Sequence, residues 1–359
     1  MKHTIPHLSM GFALFLASLA NQSFSQSTPQ SISGPGWEAR TLFSPAVAVA
    51  GVNEFAVWIQ FNYNNISFSI FNGTDWTTPT LVGGSGWTAE TNAAPALAVD
   101  LTSGDVWVAW KGLSDNKVWF SYWNSNGWST QAVVSGSTWT AETDTSPAIA
   151  ATQNSSAPIY LAWKGASTDK VWFTYGGSFG WAIQKSVYGD YMGSHWTAKT
   201  NVAPGLEAWY EGAAVNWSGT SKGEINYSGV DIGTDDWGAD EKLYCPDPKW
   251  TAETNAQPVG SNFANSGGTS NTTAVFWQGK SDNSVWYTYF VDWACGFDSW
   301  MQQATVGESG WSASSDYAPA VASYPNYATV SILAWENAKD NTILYIDPTT
   351  LPGLTAYAP

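Results

Sequence analysis

The chain has 359 residues, a formal net charge of −16 and only 12% charged residues, and 24 of its residues are tryptophan. An acidic surface repels phosphate backbones and anionic lipid headgroups, so nucleic acid and a bare membrane surface are poor partners. A hydrophobic content of 44% provides ample material for a core and excludes a disordered acidic chain.

The N-terminal segment has the layout of a secretory signal peptide. A polar start precedes an apolar run from Met10 to Ala20, and small residues then offer a cleavage site before Gln26. The apolar run is too short to span a bilayer, and no other stretch is long and apolar enough to insert. We therefore expect residues 1–25 to be removed and residues 26–359 to form one soluble, secreted domain.

Two motifs recur six times along the chain. The first, W-x-A-x-[TS]-x3-P, keeps a step of eight residues and occurs at Trp37–Pro45, Trp87–Pro95, Trp139–Pro147, Trp196–Pro204, Trp250–Pro258 and Trp311–Pro319. In the second, a Trp is followed eight residues later by Val or Ile, at Trp58–Ile66, Trp110–Val118, Trp163–Val171, Trp217–Ile225, Trp277–Val285 and Trp335–Ile343. Two constant offsets in six copies predict six repeats of the length typical of a propeller blade.

The copy that begins at Pro95 shows how one repeat folds. Apolar or alternating segments at Ala96–Val99, Val106–Trp110, Val118–Tyr122 and Trp128–Val133 are separated by polar turns, which predicts an antiparallel meander of four strands. A single blade cannot bury both of its faces, whereas six blades in a ring can. The predicted fold is an all-β, six-bladed β-propeller of four-stranded antiparallel blades.

The ends of the chain predict how the ring closes. Five copies carry a fourth-strand Trp that the sixth copy lacks, at Trp76, Trp128, Trp181, Trp237 and Trp300. The segment from Gln30 to Ser33 is left over before the first motif. We expect this N-terminal strand to complete the last blade and thereby protect the edges of the ring.

Three copies carry residues that the others lack. In blades two, three and five, a Glu follows the first-motif Trp by three residues and a late Trp follows the second-motif Trp by nine. In blades one, four and six these positions hold Arg40, Lys199 and Ser314, and Ser67, Asn226 and Leu344. The predicted ligand-binding residues are Trp87, Glu90, Asn92, Lys111 and Trp119; Trp139, Glu142, Asp144, Lys164 and Trp172; and Trp250, Glu253, Asn255, Gln278 and Trp286.

This repeated set favours a sugar site. A Trp ring can cover the apolar face of a pyranose, while the polar residues bond to its hydroxyl rim. Such shallow sites bind weakly, at about millimolar Kd, but several copies on one rigid ring add avidity. The second-motif Trps are most simply inter-blade core. For the other residues the alternative is structural: the late Trps also serve packing, and Glu90 and Glu142 form ion pairs with Lys111 and Lys164.

The stretch Trp110-Lys111-Gly112, Ser114-Asp115-Asn116 and Val118-Trp119, followed by Gly127-Trp128, resembles blades of Trp-rich propeller lectins. Both the fucose-binding six-bladed type and the bacterial PLL-like type share this patterning across all six repeats. The resemblance implies a lectin with glycans or glycoconjugates as partners and no cofactor. In the fucose-binding type an Arg and a Glu join a Trp in each site, whereas this chain has a single arginine, Arg40, so at most one such site can form.

Two rival functions stay open. A sialidase-like enzyme would need an arginine triad, which one arginine rules out, although a two-carboxylate hydrolase is compatible with 29 acidic residues. His195 is the one histidine outside the signal segment, and we interpret it as a surface residue rather than a catalytic base. No His/Cys cluster indicates a metal site. The second rival is a protein-interaction scaffold, which would use one face of differing loops.

Export also suggests covalent modification. Cys245 and Cys295 could form one bridge between neighbouring blades in an oxidising compartment. Six N-x-S/T sequons are candidate glycosylation sites, at Asn65, Asn72, Asn154, Asn216, Asn226 and Asn271.

Overall fold

Six antiparallel sheets lie around a ring and form the blades of a propeller, which confirms the predicted fold class. The computed structural model describes residues 28–51, 53–152, 158–191, 194–209, 212–231, 237–246, 249–264, 271–291, 299–308, 310–323, 331–351 and 354. The predicted signal segment lies outside these residues, as does Cys295. No helix in these ranges has the length and apolar composition needed to cross a membrane.

In each of the first three blades, the first strand lies at the ring axis and each later strand lies farther outward. Blade 1 consists of Ala46–Ala50, Asn53–Ile59, Ile66–Phe71 and Thr80–Leu81. Blade 2 consists of Ala96–Val99, Val106–Lys111, Val118–Asn124, Gly127–Trp128 and Ala132–Val133. Blade 3 consists of Ala148–Ala151, Ile159–Lys164, Val171–Gly177, Gly180–Trp181 and Lys185–Ser186.

The second half of the ring repeats this order. Blade 4 consists of Gly205–Trp209, Gly212–Ser218, Ile225–Asp231 and Glu241–Lys242. Blade 5 consists of Val259–Ala264, Asn271–Gln278, Val285–Val291, Ser299–Trp300 and Ala304–Thr305. Blade 6 consists of Ala320–Ser323, Ser331–Glu336, Ile343–Ile346 and Gln30–Ser31, and the 3-10 helix Pro348–Thr350 follows it.

A small hairpin connects most blades to the next one. These hairpins pair Ser33–Gly34 with Trp37–Glu38, Gly83–Gly84 with Trp87–Thr88, Tyr188–Tyr191 with Ser194–Thr197, Tyr244–Pro246 with Lys249–Thr251, and Gly307–Glu308 with Trp311–Ser312. A single bridge between Ser135 and Thr140 takes this place between blades 2 and 3. Gly86 has a φ of 83° in its two-residue turn, a conformation that favours glycine.

The predicted fourth strand of blade 2 is two short strands rather than one. Trp123 pairs with Trp128, but Phe120 pairs with Ala132, so the outer strand carries one residue more than its partner over this stretch. This is a β-bulge, which breaks the ladder and increases the local twist. The same one-residue shift occurs in blades 1, 3, 4 and 5, so the bulge belongs to the repeat.

The N-terminal strand closes the ring as predicted. Gln30 pairs with Tyr345 and Ser31 with Leu344, which makes this segment the outer strand of blade 6. The fully buried Ile32 continues the contact by donating its N–H to the carbonyl of Ile343 at 2.9 Å. Residues from opposite ends of the chain therefore share one sheet.

The hydrophobic core is divided among the six gaps between neighbouring blades. Each buried cluster combines side chains from two adjacent sheets, for example Val57 and Phe68 of blade 1 with Val108 and Trp110 of blade 2. The other five gaps are filled in the same way. Each of these buried clusters draws on two neighbouring blades, so the ring stabilises its blades as a whole.

The carboxyl groups of Glu54 and Asp347 interact electrostatically where blade 6 meets blade 1, which is called the closing seam. Glu54 of blade 1 is buried, and burial, followed by the nearby charge of Asp347, raises its pKa to about 7. Burial likewise raises the pKa of Asp347, which accepts hydrogen bonds from Ser331 Oγ at 3.3 Å and Thr349 N at 2.9 Å. The folded protein is therefore most stable when the carboxyl group of Glu54 carries a proton.

We expect Ile32→Ala to lower the free energy of unfolding by about 2–4 kcal/mol, because it leaves a cavity where the closing strand is anchored. Urea unfolding followed by tryptophan fluorescence measures this loss. Val134→Ala at the equivalent internal position is the matched control for simple cavity formation. A loss below about 0.5 kcal/mol for Ile32→Ala would contradict a stabilising role for the closing strand.

We expect stability to fall as the pH rises from 4.5 to about 7, because the folded pKa of Glu54 lies above its value of 4.5 when unfolded. Its contribution is fully present below pH 4.5 and is lost as the pH passes through the folded pKa. Glu54→Gln should remove a dependence on the order of 2–3 kcal/mol. The test is urea unfolding of the wild type and of Glu54→Gln at several pH values. If the free energy of unfolding changes with pH in the same way in both proteins, the buried carboxyl group of Glu54 is not the cause.

Candidate functional site

The first motif forms a backbone clamp between neighbouring blades. Ala89 donates its N–H to the carbonyl of Val82 at 2.8 Å, and its own carbonyl accepts the N–H of Ile66 at 3.1 Å. Thr91 donates its N–H to the carbonyl of Asn64 at 2.9 Å. All six copies repeat these bonds, and the motif alanines and Thr or Ser residues are buried in every copy.

The hydroxyl of the motif Thr or Ser has its own constant role. Thr91 Oγ1 accepts the N–H of the residue two positions later at 3.1 Å, and all six copies form this turn at 3.0–3.2 Å. A buried hydroxyl thus satisfies a backbone donor where the chain turns into the innermost strand. The motif is conserved among the six copies for structural reasons.

The second-motif Trps are interior residues, as the structural interpretation predicts. All six are at most 4% exposed, namely Trp58, Trp110, Trp163, Trp217, Trp277 and Trp335. The hairpin Trp of the first motif lies parallel to its buried partner: Trp87 and Trp110 have ring centroids 6.4 Å apart at an angle of 1°, and Trp139 and Trp163 are 6.5 Å apart at 10°. The hairpin Trps remain partly exposed along one side.

The late Trps occupy the same gaps as these stacked pairs. Trp119 lies directly opposite Trp110 in the sheet, so both side chains lie on the face of blade 2 that is turned toward blade 1. Trp119 is partly exposed and packs against the edge of the buried cluster. Trp172 and Trp286 hold the equivalent positions in the gaps between blades 2 and 3 and between blades 4 and 5.

A glycine and an aspartate set the orientation of two late Trps. Trp119 Nε1 donates to Asp115 Oδ1 at 3.2 Å, and Trp286 Nε1 donates to Asp282 Oδ1 at 3.3 Å. Each ring lies so close to a glycine that a Cβ at Gly112 would come within 2.9 Å of Trp119 Nε1. Sequence reasoning missed this positioning, although the Trp-x-Gly spacing occurs in all three blades.

Blade 3 builds the same contact without the aspartate. Thr168 stands where the other two blades have Asp115 and Asp282. A Cβ at Gly165 would still lie 2.9 Å from Trp172 Nε1, so this ring also covers its glycine. The three gaps therefore share the Trp–Gly contact, and in two of them an aspartate also accepts the indole N–H.

The predicted glutamates lie beside the late Trps. The backbone carbonyl of Glu90 accepts the N–H of Leu113, the residue after Gly112, at 3.1 Å, and the exposed side chain stands at the mouth of the gap. Glu142 is held in the same way by the N–H of Ala166 at 3.0 Å. Each gap thus combines a partly exposed indole with an exposed carboxylate.

The third glutamate differs because it has a cationic neighbour. Glu253 Oε2 lies 3.2 Å from Lys280 Nζ, and Lys280 occupies the position of Leu113 and Ala166. Lys280 also donates to the backbone carbonyl of Lys222. The gap between blades 4 and 5 therefore presents an ion pair where the other two present a carboxylate.

The structural alternative included ion pairs of Glu90 with Lys111 and of Glu142 with Lys164, but both lysines have other partners. Lys111 Nζ donates to Asn92 Oδ1 at 2.8 Å, and Lys164 Nζ contacts both oxygens of Asp144 at 2.7 and 2.8 Å. Each lysine directly follows a buried Trp in its strand, so its side chain leaves on the opposite face.

The predicted constellation therefore divides into two groups, one of Trp and Glu and one of Lys with Asn or Asp. Blade 5 has Gln278 at the position of these lysines and lacks this pair: Gln278 Nε2 donates to the carbonyl of Ser315 at 2.8 Å, and Asn255 is exposed. Because Lys111 and Lys164 are at most 8% exposed, we interpret their pairs as support for the loops rather than as ligand contacts.

Among the sequons, Asn216 is fully buried and so presents no acceptor in the folded protein. Asn72 is exposed, and Asn65 and Asn226 are partly exposed. Asn154 lies outside the described residues, and glycosylation at the other sequons stays a prediction. The Cys245–Cys295 bridge also stays a prediction.

His195 is a surface residue, as expected, although it lies in a hairpin strand. Its side chain is 82% exposed and its Nδ1 lies 3.4 Å from Asp190 Oδ2. Within the described ranges, no group of three or more His, Cys, Asp or Glu residues is arranged to hold a metal ion.

The sequence matches no protein-family model and no curated protein. Solved structures share the fold. The fucose-specific lectin from Aleuria aurantia, in a mercury-derivative form, has a TM-score of 0.59 and 13% identity over 88% of this chain and 99% of the lectin. An alpha-L-arabinanase from Penicillium chrysogenum, complexed with arabinobiose, has a TM-score of 0.58 and 13% identity over 89% of this chain and 98% of the enzyme.

An alpha-L-arabinofuranosidase of Fusarium graminearum with arabinobiose is also similar, with a TM-score of 0.58 and 10% identity over 90% of this chain and 98% of that one. The Aleuria aurantia lectin is described as a six-bladed beta-propeller, so the resemblance expected from the blade pattern is confirmed for the fold. Identities this low carry the architecture and not the function.

We expect Gly112→Ala to displace the indole of Trp119, because the added methyl group would meet both Trp119 Nε1 and the carboxylate of Asp115. The indole N–H resonance of Trp119 should shift in an NMR spectrum while the rest of the spectrum is retained. Gly219→Ala in blade 4 is the matched control, since its nearest neighbour would be Asn226 Nδ2 at 3.3 Å. An unchanged Trp119 resonance would show that the glycine does not position the ring.

Proposed function

We propose that this protein is a secreted carbohydrate-binding protein with three shallow sugar sites, in the gaps between blades 1 and 2, 2 and 3, and 4 and 5. The supporting observation is that a partly exposed indole, laid against a glycine, lies beside an exposed glutamate in these three gaps. A flat apolar surface next to hydrogen-bond acceptors suits the apolar face and hydroxyl rim of a pyranose.

The positions of the three sites favour multivalent binding. All three gaps open on the side of the ring that carries the loops between the second and third strands, because the late Trp and the glutamate lie at that end of the blades. In a ring of six, the gap between blades 4 and 5 is opposite the gap between blades 1 and 2. A surface that displays many copies of one glycan could engage several sites, which raises avidity without new contacts.

A glycosidase is the second candidate function, and Glu207 is the residue that could act as its general acid. Glu207 lines the cavity on the ring axis, and burial raises its pKa to about 8, which suits a general acid at neutral pH. Glycoside hydrolysis generally needs two carboxyl groups, one on each side of the scissile bond. Among the described residues that line this cavity, Glu207 is the single acidic one, which favours binding over hydrolysis.

The test is a glycan-array screen of the mature protein together with the triple variant Trp119→Ala, Trp172→Ala, Trp286→Ala. We expect the wild type to bind a coherent set of glycans and the variant to lose at least about tenfold in affinity, or about 1.4 kcal/mol per site. Leu344→Ala, at the equivalent position of blade 6, is the matched control and should bind like the wild type. Circular dichroism and thermal unfolding confirm that each variant is folded.

Other results would direct the function elsewhere. A folded wild type that binds no glycan would remove the carbohydrate proposal and leave an interaction scaffold to be identified by its protein partner. Release of sugar from a bound oligosaccharide, abolished by Glu207→Gln, would establish the enzyme instead. Binding that survives the triple variant would move the sugar sites away from the late Trps.

A further inference from the structure

The innermost strands break the repeat at one place on the ring axis. Four blades have alanine at the first and third positions after the motif proline, at Ala46 and Ala48, Ala96 and Ala98, Ala148 and Ala150, and Ala320 and Ala322. Blade 4 has Gly205 and Glu207 at these positions instead. Blade 5 has Gly260 at the intervening position, where every other blade has Val or a larger aliphatic residue.

The departures from the repeat place two polar side chains, those of Glu207 and Asn216, in the gap between blades 4 and 5. Glu207 and Asn216 lie on the same face of blade 4, and a Cβ added to Gly260 of blade 5 would lie 2.9 Å from Glu207 Oε1 and 2.7 Å from Asn216 Nδ2. Both side chains therefore converge on the space that the missing side chain of Gly260 leaves open. The residue at the Asn216 position in the other five blades is Val, Ala or Phe, so this asparagine also breaks the repeat.

Burial leaves these groups without adequate partners. Glu207 is 3% exposed and Asn216 is fully buried, and neither carboxylate oxygen nor either amide atom has a hydrogen bond of normal geometry within the described part of the chain. Burial raises the pKa of Glu207 to about 8, and the neighbouring amide of Asn216 opposes this only in part. Tyr227, which packs in the same gap, has its pKa raised by burial, then by the charge of Glu207 and to a smaller extent by that of Glu241, while a hydrogen bond with Thr273 lowers it in part.

Glu207 also belongs to the lining of a cavity on the ring axis, although both of its carboxylate oxygens are themselves buried. The cavity has a volume of about 110 Å³, and Glu207, Gly260, Ser261 and Ser323 interrupt a lining that is otherwise mostly aliphatic. A water molecule needs about 10–15 Å³ of cavity volume, so this cavity can hold a hydrated ion next to the gap between blades 4 and 5. Ser261 Oγ and Ser323 Oγ lie 2.8 Å apart and supply further oxygens to the cavity wall.

We propose that the space beside Glu207 and Asn216 is a binding site for a monovalent alkali cation, potassium or sodium, held between blades 4 and 5. A buried carboxylate requires a compensating charge, and one monovalent cation balances Glu207 while a divalent ion would leave a net buried charge. The available ligands are the two carboxylate oxygens of Glu207 and the amide oxygen of Asn216. Oxygen ligands suit hard cations rather than soft metals.

Binding exchanges the cation for a proton. The cation binds the carboxylate form of Glu207, and a proton held by the carboxyl group passes to solvent as the cation binds, so charge stays balanced.

The test is thermal unfolding at pH 8 in potassium or sodium chloride, compared with tetraethylammonium chloride at equal ionic strength, since that cation is too large to enter the space between the buried side chains of Glu207 and Asn216. We expect the small cation to raise the Tm of the wild type by at least about 2 °C. Glu207→Gln, which keeps the shape and removes the charge, should show no such difference. Glu54→Gln is the matched control for a buried carboxyl group elsewhere and should respond like the wild type.

A direct measurement locates the ion. Crystals grown with rubidium or thallium should show an anomalous scattering peak beside Glu207 in the wild type and none in Glu207→Gln. Equal Tm values in all three salts, or a cation response that survives Glu207→Gln, would overturn the site. Absence of the anomalous peak would equally show that Glu207 is only a protonated structural carboxyl group.

Discussion

The fold depends on a backbone clamp that joins each blade to the next. The motif alanine is hydrogen-bonded on both sides, to the outer edge and to the third strand of the preceding blade, while the following Thr or Ser reaches that blade's second loop. Alanine is required because a larger side chain has no space in a position that is at most 2% exposed. Since each blade shares its core with two neighbours, this clamp sets the distance across every gap and so the fit of every inter-blade contact.

The clamp also explains how three gaps can carry a site at little structural cost. It fixes the backbone on either side of the residue between the alanine and the Thr or Ser, but that residue's side chain projects outward. Arg40, Glu90 and Ser314 therefore occupy the same backbone position without altering the ring. A late Trp also requires a glycine beneath its ring, because a Cβ there would collide with the indole. Blades 2, 3 and 5 have Gly112, Gly165 and Gly279 at this position.

Most of the fold could be predicted because it rests on spacing. Two constant offsets gave the number of blades, and a leftover segment at Gln30 indicated the closing strand. The bulge in the outer strand was not predictable from alternation, because an extra residue shifts the register without changing the polarity of the segment. The ion pairs of Lys111 and Lys164 that the structural alternative offered matched charge without regard to strand geometry, although the residue after a buried Trp must face away from it.

A repeat protein provides its own reference for what packing requires. At the third innermost position, four blades show that alanine fills the space, so Glu207 in blade 4 cannot be explained by packing. Its presence goes together with Gly260 and Asn216, three departures that meet in one gap, whereas a chance substitution would leave the neighbours unchanged. The late Trps follow the same logic on the surface, because they occur only together with their glutamates. Departures that occur together are not explained by the stability of the ring alone, and both proposals, the sugar sites and the cation site beside Glu207, start from departures of this kind.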